Sequence, residues 1–294
     1  MRYGPNVPLE FEGFNVISQY KGVRVDAFFV QPVSTGKAMF DNKRIKDSKL
    51  WGLYIIIPKK THASFDLYYL GLKERNAVFI QGTANQVRHS FGTRIWKLAK
   101  TGFAYNLEGV YQFGKFGNSK VSAYYASAEM SYGLSKTGWQ PLLTLSANLI
   151  SGDKNRLDRK MQTFDALFPK PYFGLAAPIG PANLIDVHPG LKVRPSPKWV
   201  LGIETDFLWR NSSNDRLYAP PVFPSRPPFQ HSDPSILSSK KFIGVQYIFE
   251  SEWQLNQHLN LYTTYAYFPA GGFIKETSKA KTLGLWLIAF TNKF

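Results

Sequence analysis

Arginine, lysine and carboxylate side chains recur on the polar sides of segments in which polar and apolar residues alternate. Fixed cations along a pore lower the electrostatic barrier to a polyanion, and arginine binds a carboxylate through two parallel hydrogen bonds. Interleaved acids would hold the cations in place and keep a polymer from binding too tightly. The alternative is that these charges only pair with one another on a polar surface. We predict that they line a pore and contact its substrate; the set is Arg24, Arg88, Arg94, Lys192, Arg194 and Arg210 with Asp26, Glu108, Glu129, Asp186, Glu204, Asp206 and Glu250.

Asp186 and His188 form the pair that most resembles a catalytic or metal-binding motif. They lie two residues apart in a strand pattern, so their side chains share a face. We favour a structural hydrogen bond between them over a metal site. The remaining histidines are scattered, and the chain shows no convergent Ser–His–acid set, P-loop or dinucleotide fingerprint. We therefore predict no catalytic residues, no metal and no other cofactor, and the protein is not expected to be an enzyme.

The acids of one long loop leave a calcium alternative open. Asp153, Asp158 and Asp165 lie close together in a stretch that also carries Phe164 and Leu167. Carboxylate oxygens suit calcium, but a protein with no cysteine has no thiolate to offer a softer metal. The aromatic residues predict that this loop folds back into or over the mouth of the structure.

Alternation with a period of two predicts the strands that carry these residues. In the segment Trp199–Arg210, Leu201, Ile203, Phe207 and Trp209 lie on one face, and the acids lie on the other. The same analysis predicts about thirteen strands of roughly 9–16 residues, longer than most strands of soluble proteins. They start near Leu9, Gly22, Lys49, Ser64, Arg88, Phe103, Ser119, Gln140, Leu184, Trp199, Lys241, Leu259 and Lys281.

The connections alternate in length, with short turns at one end of the sheet and longer loops at the other. This sorting is typical of outer-membrane barrels. Short links are predicted at Tyr20–Gly22, Lys100–Gly102, Ser135–Gly138, Ser196–Lys198 and Asn256–His258. Long links are predicted at Ser34–Ser48, Glu74–Val87, Asp153–Asn183, Ser212–Ser239 and Ala270–Ala280.

The fold class follows from strand length and loop sorting together. We predict an all-β, antiparallel, up-and-down transmembrane β-barrel that occupies residues 1–294 as one domain. Its apolar face would contact lipid and its polar face would line a wet interior. A soluble β-sandwich, with the apolar face as its core, is the alternative. The final strand carries Trp286, Ile288 and Phe290 at even steps before Phe294, as in the assembly signal of outer-membrane proteins.

Charge and composition narrow the partners. The chain has 36 Lys and Arg against 20 Asp and Glu, a net charge of +16, which favours polyanionic partners. Nucleic acid is disfavoured, because its binding needs exposed aromatic residues among the cations. Here the aromatic residues lie mainly on the apolar face. The sequence contains no run of 18 apolar residues, so no transmembrane helix is predicted. The first residues lack the charged and then apolar pattern of a signal peptide.

Five short motifs of uncommon residue combinations occur along the chain, at Gly152–Asn155, Thr163–Pro169, Tyr172–Gly174, Asn183–Pro189 and Gly271–Ile274. Their order and spacing resemble the bacterial alginate export family. The resemblance implies an eighteen-stranded outer-membrane barrel that passes an acidic polysaccharide outward, by passive diffusion, through an arginine-rich lumen. It also implies outer-membrane lipid and periplasmic export or synthase components as partners. The predicted count of thirteen strands is odd and is five fewer than eighteen. It predicts that five N-terminal strands are missing from the sequence.

Two other functions remain open at this point. A general anion-selective porin, or an uptake channel for acidic oligosaccharides or small anions, would share the same polar lumen. The direction of transport through a passive pore depends on gradients and partners, so the residues separate these two poorly from export. A membrane-embedded barrel enzyme would need a convergent catalytic set, and the sequence offers none.

Overall fold

Long antiparallel strands make up almost all of the structure, a computed structural model that describes residues 10–34, 41–58, 63–134, 138–167, 175–176, 179–218, 238–278 and 282–292. Within these ranges thirteen strands are long and two have only two residues each. The all-β antiparallel prediction is therefore confirmed, as is the predicted number of long strands. The elements are β1 Phe11–Tyr20, β2 Val23–Ser34, β3 Lys43–Arg44, β4 Ser48–Ile57, β5 Ser64–Phe79, β6 Gly82–Lys97, β7 Gly102–Phe116, β8 Ser119–Gly133, β9 Leu142–Ile150, β10 Lys160–Met161, β11 Leu184–Ser196, β12 Trp199–Arg210, β13 Phe242–Gln254, β14 Leu259–Pro269, α1 Gly272–Thr277 and β15 Thr282–Asn292.

The long strands pair in sequence order, which confirms the predicted meander. The order runs β1-β2-β4-β5-β6-β7-β8-β9-β11-β12-β13-β14-β15, with β3 beside β2 and β10 beside β8. Within the described ranges no hydrogen-bonded ladder joins β1 to β15, and every residue of β1 is exposed. The idea of five further strands stays a prediction. In the described part of the chain, no helix is long and apolar enough to cross a membrane.

The starts of the long strands agree with the sequence prediction to within two residues, except at β6. That strand begins at Gly82 rather than near Arg88, so the predicted long link Glu74–Val87 is wrong and a tight turn takes its place. The alternation is hidden because Asn76 adopts a φ of 55° and the register shifts between Glu74 and Ala77. Beyond this bulge the two strands resume pairing up to Phe79.

Alternating burial gives the sheet an apolar face and a polar face, as predicted. Phe91 and Ile95 of β6, Leu143 of β9 and Ile203 of β12 are large, exposed hydrophobic residues of the apolar face. On the opposite face of the same strands lie buried polar residues such as Asp206. On β15, Trp286, Ile288 and Phe290 are exposed at the even steps predicted, whereas Phe294 lies outside the described residues.

Three glycines lie directly opposite large aromatic side chains in the ladders of β2, β4, β5 and β6. Trp51 faces Gly71, Tyr68 faces Gly92 and Phe28 faces Gly52. A Cβ added to Gly71 would come within 2.4 Å of three atoms of the indole ring. Each aromatic ring therefore lies over the backbone of its glycine, in space that the Cβ of any other residue would fill. This arrangement helps to fix the strand register.

The hydrophobic core lies at one end of the sheet, which we call the loop rim. The loop rim comprises the turns at 80–81 and 117–118 and the described parts of three connections, 151–167 with 179–183, 211–218 with 238–241, and 270–278, which contains α1. Its buried residues include Phe164, Ile179, Leu208, Phe268 and Phe273. The predicted inward folding of the long loop is confirmed at Phe164. The opposite end of the sheet is the turn rim, where the predicted short links at 21–22, 197–198 and 255–258 are found. The predicted short link Ser135–Gly138 and the loop residues 168–174 fall wholly or mostly outside the described residues.

Candidate functional site

Arg210 ends β12 on the polar face and is fully enclosed by the loop rim. Its guanidinium nitrogens donate to the carbonyl oxygens of Asp215 at 3.0 Å, Ser238 at 2.6 Å and Lys240 at 2.7 Å. The guanidinium carbon lies 4.1 Å from the centre of the Phe273 ring of α1. Arg210 therefore joins both ends of the loop 211–241 to α1. In this position its charge faces protein rather than a lumen, and its exposed fraction is 0%.

Arg88 has the same role for the loop that follows β9. It lies on the polar face of β6, is also 0% exposed, and donates to Gln112 Oε1 at 2.7 Å and to the carbonyl oxygen of Thr163 at 3.0 Å. Asp165 is its acidic neighbour, with a nitrogen-to-oxygen distance of 3.9 Å. Gln112 completes the contact by donating to the Asp165 carbonyl oxygen at 2.8 Å. Two of the six predicted cations thus hold loops against the polar face.

Asp215 links the two long loops of the loop rim. Its carboxylate accepts hydrogen bonds from the Thr163 hydroxyl at 2.6 Å, the Asp153 backbone N–H at 2.8 Å and the Tyr218 hydroxyl at 2.8 Å. Burial raises the pKa of Asp215 above its ordinary value of 3.8, although these hydrogen bonds oppose the shift. Burial likewise raises the pKa of Asp153, which accepts from Gln81 Nε2. Protonation of these acids is therefore coupled to loop packing.

The acids that could have formed a calcium site hold separate partners instead. Asp153 accepts from Gln81 and from the backbone of Asn155, and Asp158 accepts from the backbone N–H of Lys160. Asp165 accepts from Gln86 at 3.0 Å, on the far side of the loop. Each of these carboxylates is occupied locally, so the calcium alternative gains no support from the geometry.

Arg94 lies in a continuous row of opposed residues on the polar face, which we call the polar band. The row runs across five ladders as Asp66, Arg94, Glu108, Ser127, Asn148 and Asp186. Arg94 therefore has an acid in register on each side. Its Nε donates to Asn106 Oδ1 at 2.5 Å, and its Nη1 lies 3.6 Å from Asp66 Oδ2. About a third of the side chain is exposed, 34%, so the charge remains accessible to solvent.

Lys192 of β11 forms the second accessible cluster, nearer the turn rim. Its Nζ lies 3.2 Å from Glu204 and 3.1 Å from Glu250, and the side chain is 35% exposed. The Tyr262 hydroxyl also donates to Glu250 at 3.1 Å. One lysine is shared by two carboxylates here, so the cluster keeps a net negative charge.

Arg24, Arg194 and Glu129 are the next predicted residues, and only Glu129 is connected to one of these clusters. Arg24 pairs with Asp26 on the same strand at 2.8 Å, and its side chain is exposed. Arg194 is exposed near the turn rim and forms no ion pair with another residue of the described ranges. Glu129 accepts from Asn106 at 2.9 Å, and through that amide it is linked to Arg94.

Asp186 and His188 are joined by the hydrogen bond predicted from their spacing. His188 Nδ1 lies 2.7 Å from Asp186 Oδ2. Asp206 of the neighbouring strand β12 approaches the same point, and ligand atoms of the three residues all lie within 4.8 Å of one another. The sequence did not predict the third member, because cross-strand register was needed to place it.

Comparison with models of known protein families identifies the family of this chain. The family model described as "Alginate export" matches residues 1–286, nearly the whole chain. The chain belongs to the alginate export family. Among curated proteins, none matches it. The family and the all-β fold together support an outer-membrane β-barrel engaged in alginate export and polysaccharide transport.

The net positive charge of the polar face is lower than the composition of the whole chain suggested. The thirteen predicted residues comprise six cations and seven acids, and two of the cations are enclosed at the loop rim. Much of the positive excess lies elsewhere. Lys154, Arg156, Arg159 and Lys160 are exposed within seven residues at the loop rim, for example, with Asp158 as the only acid among them.

The sequence analysis missed several residues that shape the polar face. Asp66 accepts from the Tyr54 hydroxyl at 3.0 Å and from Trp96 Nε1 at 3.0 Å, besides pairing with Arg94. Tyr68 donates to Glu108 and stacks on Tyr54, with ring centres 5.0 Å apart. The sequence carried a usable signal, because Asp66 and Tyr68 lie two residues apart in β5 and alternation places both side chains on the polar face. Aromatic residues on a polar face concealed it.

Proposed function

We propose that the polar face lines a water-filled lumen through which an anionic polysaccharide, alginate or a similar uronic-acid polymer, diffuses passively across the bacterial outer membrane. The apolar face then contacts lipid. The supporting observation is the family match over residues 1–286, combined with a polar band in which charged side chains remain partly exposed. Export is the proposed direction, with periplasmic export or synthase components as partners and no catalytic step.

Electrostatics explains how such a wall could conduct a polyanion without trapping it. Arg24, Arg94, Lys192 and Arg194 present accessible positive charge, while nearby carboxylates hold three of them in place. In a narrow pore the effective dielectric constant falls below that of water, so each charge acts more strongly than on an open surface. Because acids cancel part of the field, no single cation dominates. A passing polymer exchanges many weak contacts, which favours movement.

Exposed cations at the loop rim extend this picture. Lys154, Arg156, Arg159 and Lys160 place positive charge on one side of the loop rim, which would attract a polyanion over distances comparable to the Debye length. Beneath the loop they belong to, a cavity of about 320 Å³ opens between Phe164 and the polar face. The cavity is lined by polar groups such as Glu108 and by the aromatic ring of Tyr68.

The reversal potential in a salt gradient across a planar bilayer tests the proposal. We expect wild-type protein to prefer anions, and Arg94→Ala with Arg194→Ala to shift the reversal potential towards cations. Lys154→Ala with Arg156→Ala removes the same charge from the loop rim and serves as the matched control, with a smaller shift expected. Cation preference in wild type, or unchanged selectivity in the double variant, would contradict the assignment of these arginines to the lumen.

Acidic oligosaccharides distinguish polymer transport from a general anion porin. A lumen shaped for uronic-acid polymers should show brief, voltage-dependent blocks of current when oligouronates are added on one side. A porin for small anions should conduct chloride without such blocks. Absence of blocks at millimolar oligouronate would favour the general porin.

A further inference from the structure

Three potential ligand residues converge on one point of the polar face, at the junction of β11 and β12. Asp186 and His188 come from β11 and Asp206 comes from β12, with ligand atoms all within 4.8 Å of one another. Asp186 is 0% and Asp206 6% exposed, whereas the His188 side chain keeps 30% of its surface. The cluster is therefore deep in the wall but open on one side, through the imidazole.

The two carboxylates are short of partners. Asp186 Oδ1 and Asp206 Oδ1 are both buried and accept no hydrogen bond from the described residues. Within the same ranges neither acid forms an ion pair with a lysine or arginine; the nearest charge partner is His188, 2.7 Å from Asp186. Burying a carboxylate oxygen that accepts no hydrogen bond and faces no lysine or arginine is strongly disfavoured. Two of them side by side repel each other as well, so a positive charge is missing from the centre of the cluster.

We propose that Asp186, His188 and Asp206 bind a divalent transition-metal cation of the zinc type. One imidazole nitrogen with two carboxylates is a donor set that zinc accepts, whereas calcium prefers oxygen donors alone. The ion would occupy the space that faces the two unpartnered oxygens, and it would take the place of the hydrogen bond between His188 and Asp186. Three protein ligands leave a fourth position for water or for another ligand from the lumen.

Neighbouring amides suit this arrangement. Asn148 lies opposite Asp186 in the ladder with β9, and Gln246 lies opposite Asp206 in the ladder with β13. The Asn148 side chain is fixed by the Tyr125 hydroxyl, which donates to its Oδ1 at 3.0 Å. In metal sites, amides in such neighbouring positions hydrogen-bond the ligands and orient them. A bound ion would also neutralise the acids of this sector of the wall.

Calorimetric titration of the refolded, detergent-solubilised protein with ZnCl₂ tests the site, after chelator treatment and in a non-coordinating buffer. We expect one zinc per chain, with much weaker binding of calcium. Asp206→Asn keeps the size of the side chain and should weaken zinc binding by about tenfold or more, as should His188→Gln. Glu252→Gln removes an exposed carboxylate from β13 and is the matched control, for which unchanged affinity is expected.

Cobalt provides a second measurement that does not depend on affinity. Co²⁺ bound by nitrogen and carboxylate ligands in a four- or five-coordinate site gives visible absorption bands that hexaaqua cobalt lacks, and these should disappear in Asp206→Asn. Circular dichroism of each variant checks that the sheet is intact. If wild type binds no zinc, or if Asp206→Asn and His188→Gln bind it like wild type, the cluster shares a proton and holds no metal. Because zinc binding is measured without transport, this result is independent of the proposed lumen function.

Discussion

Arg210 at the loop rim and Arg94 in the polar band lie on the same face of one sheet, yet their partners differ in charge. Arg210 is fully enclosed and donates mainly to neutral carbonyl oxygens. Arg94 is a third exposed and lies between acids in register. Enclosure with neutral acceptors makes Arg210 a connector of loops. Exposure beside acids leaves Arg94 available to solvent and ligand, so burial and partner chemistry, more than residue type, decide what each arginine can do.

The largest expected effect is on stability at the loop rim. Arg210→Ala removes the donor for three buried carbonyl oxygens and the cation above the Phe273 ring, so we expect a loss of about 3 kcal/mol or more. Urea unfolding of refolded protein in detergent measures it. Lys241→Ala is the control, because Lys241 is exposed and makes one bond to the Asn211 carbonyl oxygen. Equal losses in the two variants would remove the distinction between connector and surface cation.

A smaller effect should appear in the pH dependence of the same rim. The pKa of Asp215 is raised by burial, so its contribution to stability is complete below its ordinary value of 3.8 and is lost as pH rises through the folded pKa. Asp215→Asn does not titrate and should therefore gain on wild type as pH rises above 3.8, the ordinary pKa of an aspartate. Paired unfolding curves at each pH measure this difference. Asp158→Asn, from the exposed part of the loop, is the comparison variant, and a constant Asp215→Asn difference across pH would contradict the coupling.

The smallest stability effect is expected in the polar band. Arg94→Ala breaks one partly exposed ion pair, which contributes about 1 kcal/mol or less. Its main consequence should be electrical, because Asp66 and Glu108 lose the cation between them. Unfolding and reversal-potential measurements on the same preparation separate the two effects. A loss of stability as large as that of Arg210→Ala would show that Arg94 is also a connector.

The sequence predicted the strands well because their signal is local. Alternation along Trp199–Arg210 assigns each side chain to a face without knowledge of any neighbour, and the observed β12 has those bounds. Alternation does not show, however, whether a residue near the end of a strand is covered by a loop. Arg88 and Arg94 share a face and a strand, but only the loops that fold over the rim determine that Arg88 is enclosed.

Contacts between distant segments also explain what was missed at the candidate sites. Asp206 joins Asp186 and His188 through the register of β11 with β12, which alternation does not specify. The strand β6 was shortened in the prediction because the bulge at Asn76 interrupts its partner β5. In both cases the decisive information is which residue of one strand faces which residue of the next.

The glycine–aromatic pairs of β2, β4, β5 and β6 bear on how that choice is made during assembly. A slip of two residues keeps every side chain on its original face, so hydrophobicity alone does not prevent it. It would, however, move Tyr68 from Gly92 to Ser90 or Arg94, and Trp51 from Gly71 to Tyr69 or Lys73. Each ring would then meet a Cβ in the space it now fills. Only glycine leaves room for the ring opposite it, so these glycines disfavour shifted registers while neighbouring strands pair.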